Sequence, residues 1–259
     1  VELNLANKTA VVTGASRGIG LATVRTLTDE GARVVGAART LTPELKETGA
    51  HALSADLSTE EGVATLMDGA LAELGGIDLL VNNVGGSSER PAGFLDTEDA
   101  EWTRLFDLNL RSTVRVTRAA LPSLIERGGA IVNVSSIAAL RPGPVPVAYG
   151  ATKAAVNALG KSLAEEFGPK GVRVNTVSPG VVRTPVWADP EGAIGKMLAE
   201  AGMDHAEFLE QVPAKFGITT GRLAESEEVA ALIAFLLSDV ARNITGANYL
   251  IDGGAIKTV

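Results

Sequence analysis

Short apolar runs alternate with longer amphipathic stretches along most of the chain. The runs are Thr9–Thr13, Arg33–Ala38, His51–Ser54, 77–82, 130–135, 172–177 and Asn248–Ile251. They are rich in β-branched residues and mostly do not alternate polar with apolar. That is the pattern of strands buried on both faces of a parallel sheet. The stretches between them are long enough for crossover helices. Ser58 with Glu61 forms a capping-box signature for one helix, and Thr97 or Asp99 opens the next. Gly31, Gly75 and Gly168 stand where C-terminal stops are expected. This βαβ rhythm predicts one doubly wound α/β domain of about seven strands over 1–259, with no linker and no repeat. One segment breaks the rhythm. Residues 185–221 lie between a strand and the next helix and carry apolar residues at helical spacing, as a lid or a packed helical hairpin would.

Composition narrows the function classes. The 259 residues are 46% hydrophobic and 21% charged, enough for a sizeable core. A net charge of −8 argues against a nucleic-acid partner. There is no Cys, so disulfides, thiolate metal sites and cysteine nucleophiles are excluded. With 2 His, His51 and His205, a multi-histidine zinc site is not expected, and neither is placed to serve a serine hydrolase. No run of about 18 apolar residues predicts a membrane span. The N-terminal residues show no signal peptide, and the expected location is cytoplasmic.

The first strand runs into TGASRGIG, Thr13 to Gly20, and then into a helical pattern. Gly14, Gly18 and Gly20 leave room for a backbone approach to a pyrophosphate, whose charge the helix N-terminus would favour. Farther on, Tyr149 and Lys153 stand four apart in YGATK on a predicted helix, hence on one face. A free tyrosine titrates near pH 10. A neighbouring ammonium lowers that value, which suits general acid–base work on an alcohol or ketone oxygen.

The ordered set TGASRGIG, NNVG (Asn82 to Gly85), Asn109 in DLNL, Ser136, Tyr149-x3-Lys153 and PGVVRT (Pro179 to Thr184) resembles the classical short-chain dehydrogenase/reductase (SDR) family. The resemblance runs from residue 8 to about 254. It implies a Rossmann-type fold and hydride transfer with a nicotinamide cofactor. It also implies catalytic roles. Tyr149 exchanges the proton, Lys153 holds the nicotinamide ribose and tunes Tyr149, Ser136 bonds the substrate oxygen, and Asn109 holds a water leading from Lys153 to solvent. The implied cofactor contacts are Gly14, Ser16, Arg17, Gly18, Ile19 and Gly20 in the loop, and Arg39, Asp56 and Leu57 at the adenosine end. Asn83 and Gly85, Tyr149 and Lys153, and Pro179, Gly180, Val182 and Thr184 complete them. Asp56 has a second reading, as a helix cap with Ser58. Ser135 should point away from the site by strand alternation.

NAD-binding members carry an acidic residue at the end of the second strand. Here that position is Ala38, followed by Arg39, with Arg17 in the glycine loop; two guanidinium groups suit a 2′-phosphate. The expected cofactor is therefore NADP(H) rather than NAD(H), and the expected activity is reduction of a ketone to a secondary alcohol. The alternative, a cofactor-binding regulatory protein without turnover, is opposed by the intact set of Asn109, Ser136, Tyr149 and Lys153. Val84 departs from the family's usual alanine, and YGATK lacks the longer Tyr-to-Lys spacing of the enoyl reductase branch. Loop 86–96, loop 141–147 and segment 185–221 should shape the substrate pocket. Trp187, Met197, Leu198, Met203 and Phe208 suggest an apolar substrate such as a β-ketoacyl, polyketide or cyclic ketone, with a steroid-like ketone and a sugar left open. Family members form homotetramers through long helices, here 97–127 and 148–168, and the same assembly is expected.

Overall fold

A computed structural model describes residues 2–88, 93–141 and 145–257. Its chain order is β1 (Thr9–Thr13), α1 (Gly18–Asp29), β2 (Arg33–Ala38), α2 (Pro43–Lys46), β3 (His51–Ser54), α3 (Glu60–Leu74) and β4 (Leu79–Asn82). There follow α4 (Asp99–Phe106), a π-helical turn at Asp107–Arg111, α5 (Ser112–Arg127), β5 (Ala130–Val134), α6 (Val147–Phe167) and β6 (Arg173–Pro179). The chain closes with α7 (Pro185–Ala188), α8 (Ala193–Glu200), α9 (His205–Lys215), α10 (Ser226–Leu237) and β7 (Asn248–Ile251).

The strands form one 7-stranded sheet in the order β3-β2-β1-β4-β5-β6-β7. Every pairing is parallel. Both faces are covered, which explains the runs without alternation. Ala10 and Val12 of β1 belong to the apolar cluster with α1 and α10, whereas Val11 between them belongs to the cluster with α3 and α5. Strand order reverses between β1 and β4. Ligands of open parallel sheets bind in the crevice beyond the strand C-termini at such a reversal.

Local signals were shifted in several places. The Ser58–Glu61 capping box does not form. Thr59 caps α3 by accepting from Gly62 N at 3.0 Å, and Ser58 is turned back onto Asp56. Asp99 does open α4, with Glu98 before it, while Thr97 bonds back to Gly93. Gly31 and Gly75 adopt the left-handed conformation of a helix stop, but Gly168 does not; a 3₁₀ turn follows α6, and Gly171 takes that conformation instead. The fourth strand begins at Leu79 rather than 77. Ile77 N donates to Ser123 Oγ at 2.7 Å, and the Asp78 carboxylate accepts from Thr9 N at 2.8 Å, so both residues are engaged below the ladder. Among the described residues no helix is long and apolar enough to cross a membrane.

Candidate active site

Thr13 ends β1 and ties the crevice together. Its hydroxyl donates to Val81 O at 3.1 Å and accepts from the N–H groups of Asn83 and Val84 at 2.9 and 3.1 Å. Asn83 returns the contact: its Nδ2 donates to Thr13 O and Gly14 O at 3.0 and 3.1 Å. Gly14 has φ +66°, and a Cβ there would lie 2.9 Å from Asn83 Nδ2. A Cβ on Gly20 would collide with the Gly14 carbonyl, and one on Gly18 would press on Thr184 Cγ2 at 3.1 Å. The glycine loop is thus wedged between NNVG and Thr184, with no space for side chains. Arg17, extended and exposed, precedes α1 without a side-chain cap, so the first-turn N–H groups are left to an anion. Ser16 O accepts from Thr42 Oγ1 at 3.0 Å, which fixes the loop's outer edge, and Ile19 begins the helix beside Gly20.

At the edge of the crevice, Arg39 is exposed beyond β2 and Leu57 is buried beyond β3. The Asp56 carboxylate accepts from the Ser58 hydroxyl and N–H at 2.7 and 3.0 Å. These bonds, more than the nearby Arg39 charge, hold its pKa below the usual value. On the opposite side Gly180 packs against Asp252, where a Cβ would approach its Cα to 2.9 Å. Pro179 ends β6, Val182 bridges to Ala224, and Thr184 N donates to Val182 O at 2.7 Å, which directs the chain into α7.

The residues with acid–base chemistry meet where β5 and α6 come together. Ser136 follows β5 and its Oγ accepts from Ala138 N at 3.1 Å. Its side chain is also a hydrogen-bond partner of the Tyr149 hydroxyl. Ser135 points elsewhere, as expected: its hydroxyl donates to Lys153 O at 3.1 Å. Lys153 is buried, its Nζ donates to Val134 O at 3.0 Å, and burial lowers its pKa to about 8. A Cβ on Gly85 would stand 2.9 Å from Asn109 Oδ1 and 3.1 Å from Lys153 Nζ, so these three residues converge on one point.

Two sequence expectations are corrected here. The tyrosine pKa is not lowered: burial raises Tyr149 above its ordinary value, and Ser136 only partly opposes this. The ammonium sits over the ring at 5.9 Å from its centroid rather than against the hydroxyl. Second, Leu198 is buried within the 185–221 segment instead of displayed, while Met197 and Met203 are exposed. Asn109 lies in the π-helical turn, a distortion frequent at functional positions. Its Oδ1 accepts from Gly86 N at 2.8 Å and its Nδ2 donates to Gly86 O at 3.0 Å and Thr152 Oγ1 at 3.1 Å. Thr152, fully buried, was missed by the motif reading; it donates on to Tyr149 O at 2.8 Å. Parts of the two expected pocket loops, 89–92 and 142–144, lie outside the described residues.

A family model described as enoyl-(acyl carrier protein) reductase matches residues 14–255. The chain is 36% identical to 3beta-hydroxysteroid dehydrogenase 1 of Eggerthella lenta over 97% of its own length and 94% of the relative's. It is 37% identical to L-xylulose reductase of Bos taurus, with 100% of both chains covered. The chain belongs to the short-chain dehydrogenase/reductase family. Among solved SDR structures, L-sorbose reductase from Gluconobacter frateurii, complexed with NADPH and L-sorbose, superposes with a TM-score of 0.92 at 33% identity over 100% of both chains. Membership places this chain among oxidoreductases of CH–OH and C=O groups, and its glycine loop, NNVG, Ser136, Tyr149 and Lys153 occupy one crevice of the SDR fold.

Proposed function

We propose that the chain is an NADP(H)-dependent reductase that converts a ketone to a secondary alcohol, reversibly, with Tyr149 as general acid. One observation carries the reading: Tyr149 stands one helical turn from buried Lys153, whose Nζ is tied to Val134 O at the strand end that leads to Ser136. A dinucleotide fits the residues present, since the crevice beside Gly14, Gly18 and Gly20 has no room for side chains and leads to an uncapped helix N-terminus. In this reading the backbone from Gly14 through Ser16 to Gly20 holds the pyrophosphate. Arg17 and Arg39 take the 2′-phosphate, Asp56 and Leu57 the adenine, and Asn83 and Gly85 the adjoining ribose. Pro179, Gly180, Val182 and Thr184 hold the carboxamide end, and Lys153 holds the nicotinamide ribose hydroxyls. When bound, the cofactor supplies the hydride, which no side chain can.

Ser136 donates its hydroxyl proton to a bond with the carbonyl oxygen and orients it. Tyr149 passes its hydroxyl proton to the same oxygen as charge develops there. Tyr149 is protonated at neutral pH, as the acid role requires, although its raised pKa makes it a weaker donor; alcohol oxidation needs the phenolate and should gain with alkalinity. The substrate is apolar. Leu140 beyond Ser136, Val147 before Tyr149, Val186 beyond Thr184, and Met197 and Met203 are all exposed on segments that flank these residues in sequence. In this reading segment 185–221 is the substrate lid. The family model's description names an enoyl reduction, but the one-turn spacing of Tyr149 and Lys153 favours carbonyl chemistry.

The test is loss of NADPH absorbance across β-ketoacyl thioesters, cyclic ketones, quinones and sugars, with Tyr149→Phe beside the wild type. Turnover abolished in the variant is expected. Turnover that survives Tyr149→Phe, or tight NADPH binding without any turnover, would overturn the reading.

A further inference from the structure

Arg141 lies five residues beyond Ser136 and closes the turn that carries it, its own N–H donating to Ile137 O at 2.9 Å. The side chain leaves that turn. Its Nη1 donates to Phe216 O at 2.7 Å, just past the end of α9, and reaches Ala255 O at 3.4 Å in the C-terminal segment. The three segments so joined also share one apolar cluster, in which Ile137 meets Val212 of α9 and Ala255. The C-terminal segment is itself well fixed. The Asp252 carboxylate accepts from Gly254 N and Ile256 N at 2.9 and 2.8 Å, and Thr220 N donates to Gly253 O at 3.0 Å. None of these segments pairs with another through strand hydrogen bonds. Lys257 Nζ donates to Gly217 O at 2.9 Å and joins the C-terminal segment to the end of α9, and the Arg141 guanidinium adds the Ser136 turn to that pair.

We infer that Arg141 is a positioning residue for the carbonyl site. Through its two carbonyl bonds it holds the Ser136 turn to the end of α9 and to the C-terminal segment, two segments that Lys257 and Thr220 already tie to each other. It thereby sets the separation between Ser136 and the 185–221 segment against which a substrate would rest. Arg141 touches neither the glycine loop nor NNVG, so its effect is confined to the carbonyl side. The inference rests on the carbonyl reductase reading for its kinetic consequence but not for the tie itself.

The experiment compares Arg141→Met, which keeps the stem and removes the donors, with Arg141→Lys, which keeps one donor. It reads kcat and KM for the carbonyl, NADPH affinity by fluorescence, and amide hydrogen exchange. Arg141→Met is expected to raise the carbonyl KM about ten-fold, more than it lowers kcat. NADPH affinity should be unchanged, and Arg141→Lys should recover most of the loss. Exchange should quicken in 136–140, less in 205–217 and 252–257, which Lys257 and Thr220 still join, and stay unchanged in the glycine loop. A carbonyl KM unchanged in Arg141→Met, or NADPH affinity weakening in step with it, would overturn the inference. So would exchange that stays unchanged in the serine turn. If the wild type reduces no carbonyl while the serine turn still loosens in Arg141→Met, the tie stands and the reductase reading falls.

Discussion

Lys153 Nζ donates to the backbone carbonyl of Val134 at 3.0 Å, and two residues beyond Val134 the chain presents Ser136. The bond from the Ser135 hydroxyl back to Lys153 O closes the link in the other direction. The strand end and the helix therefore move as one, which fixes serine, tyrosine and lysine relative to each other. The cost is a buried ammonium. A free lysine titrates near 10.4, and burial brings Lys153 to about 8. Between these values the unfolded chain binds the extra proton, so stability must rise with pH from about 8 to 10, by about 3 kcal/mol for this group. Tyr149, whose folded pKa lies above its unfolded value, acts in the opposite sense only above about pH 10. Denaturant midpoints at pH 7.5 and 9.5 should show this rise in the wild type and not in Lys153→Met. The variant should also be the more stable protein at the lower pH, while lacking activity.

Gly85 tests whether the convergence of Asn109 and Lys153 matters. Its φ is not positive, so alanine costs nothing in backbone strain; the cost comes from the two side chains that a Cβ would meet at 2.9 and 3.1 Å. Gly85→Ala should lower kcat at least about ten-fold, with a stability loss of about 1–3 kcal/mol from overpacking. Gly86→Ala is the control, because its Cβ would meet only Leu108 Cδ2 at 3.1 Å, a side-chain end that can yield. Equal activity in the two variants would remove Gly85 from the site.

Cofactor choice should depend on Arg39. Arg39→Leu removes one of the two exposed cations proposed to meet the 2′-phosphate and should raise the KM for NADPH about 10- to 100-fold, the range expected for a lost charge-assisted bond to phosphate. The KM for NADH should hardly move. Steady-state kinetics with both cofactors decide this, and parallel changes for the two would remove Arg39 from 2′-phosphate recognition.

The sheet was legible because its strands are buried on both faces: Val11 and Val12 of β1 serve different clusters, and only an unbroken apolar run can do that. The positions of Ser136, Tyr149 and Lys153 were legible because order and spacing along the chain are properties of sequence. Their electrostatics were not. The shift of Tyr149 is decided by burial, and the ammonium's placement over the ring rather than at the hydroxyl depends on a carbonyl of β5. Ser58 and Thr59 show the same limit at short range. Both are adequate caps, and the choice between them is made by Asp56, which engages Ser58 first. Arg141 could be placed in a pocket loop, but its partners lie 75 and 114 residues away, and no local pattern encodes such bonds.

Thr152 is the residue whose importance comes from the structure alone. It looks like a spacer within YGATK, yet it is wholly buried, accepts from Asn109 Nδ2 and donates to Tyr149 O. It joins the π-helical turn to the helix that carries tyrosine and lysine. Thr152→Val keeps the shape and removes the hydroxyl, which leaves Asn109 with Gly86 alone. The expected loss is about 1–2 kcal/mol of stability, with a fall in kcat because Asn109 and the first turn of α6 are no longer fixed to each other. Thr152→Ser keeps both hydrogen bonds and gives up one buried methyl group, at a cost of about 1 kcal/mol, so it should lose stability but retain kcat. Chemical denaturation and steady-state kinetics on the two variants separate these effects. If serine lowers kcat as much as valine does, the methyl group rather than the hydroxyl is what the site requires, and Thr152 contributes only packing.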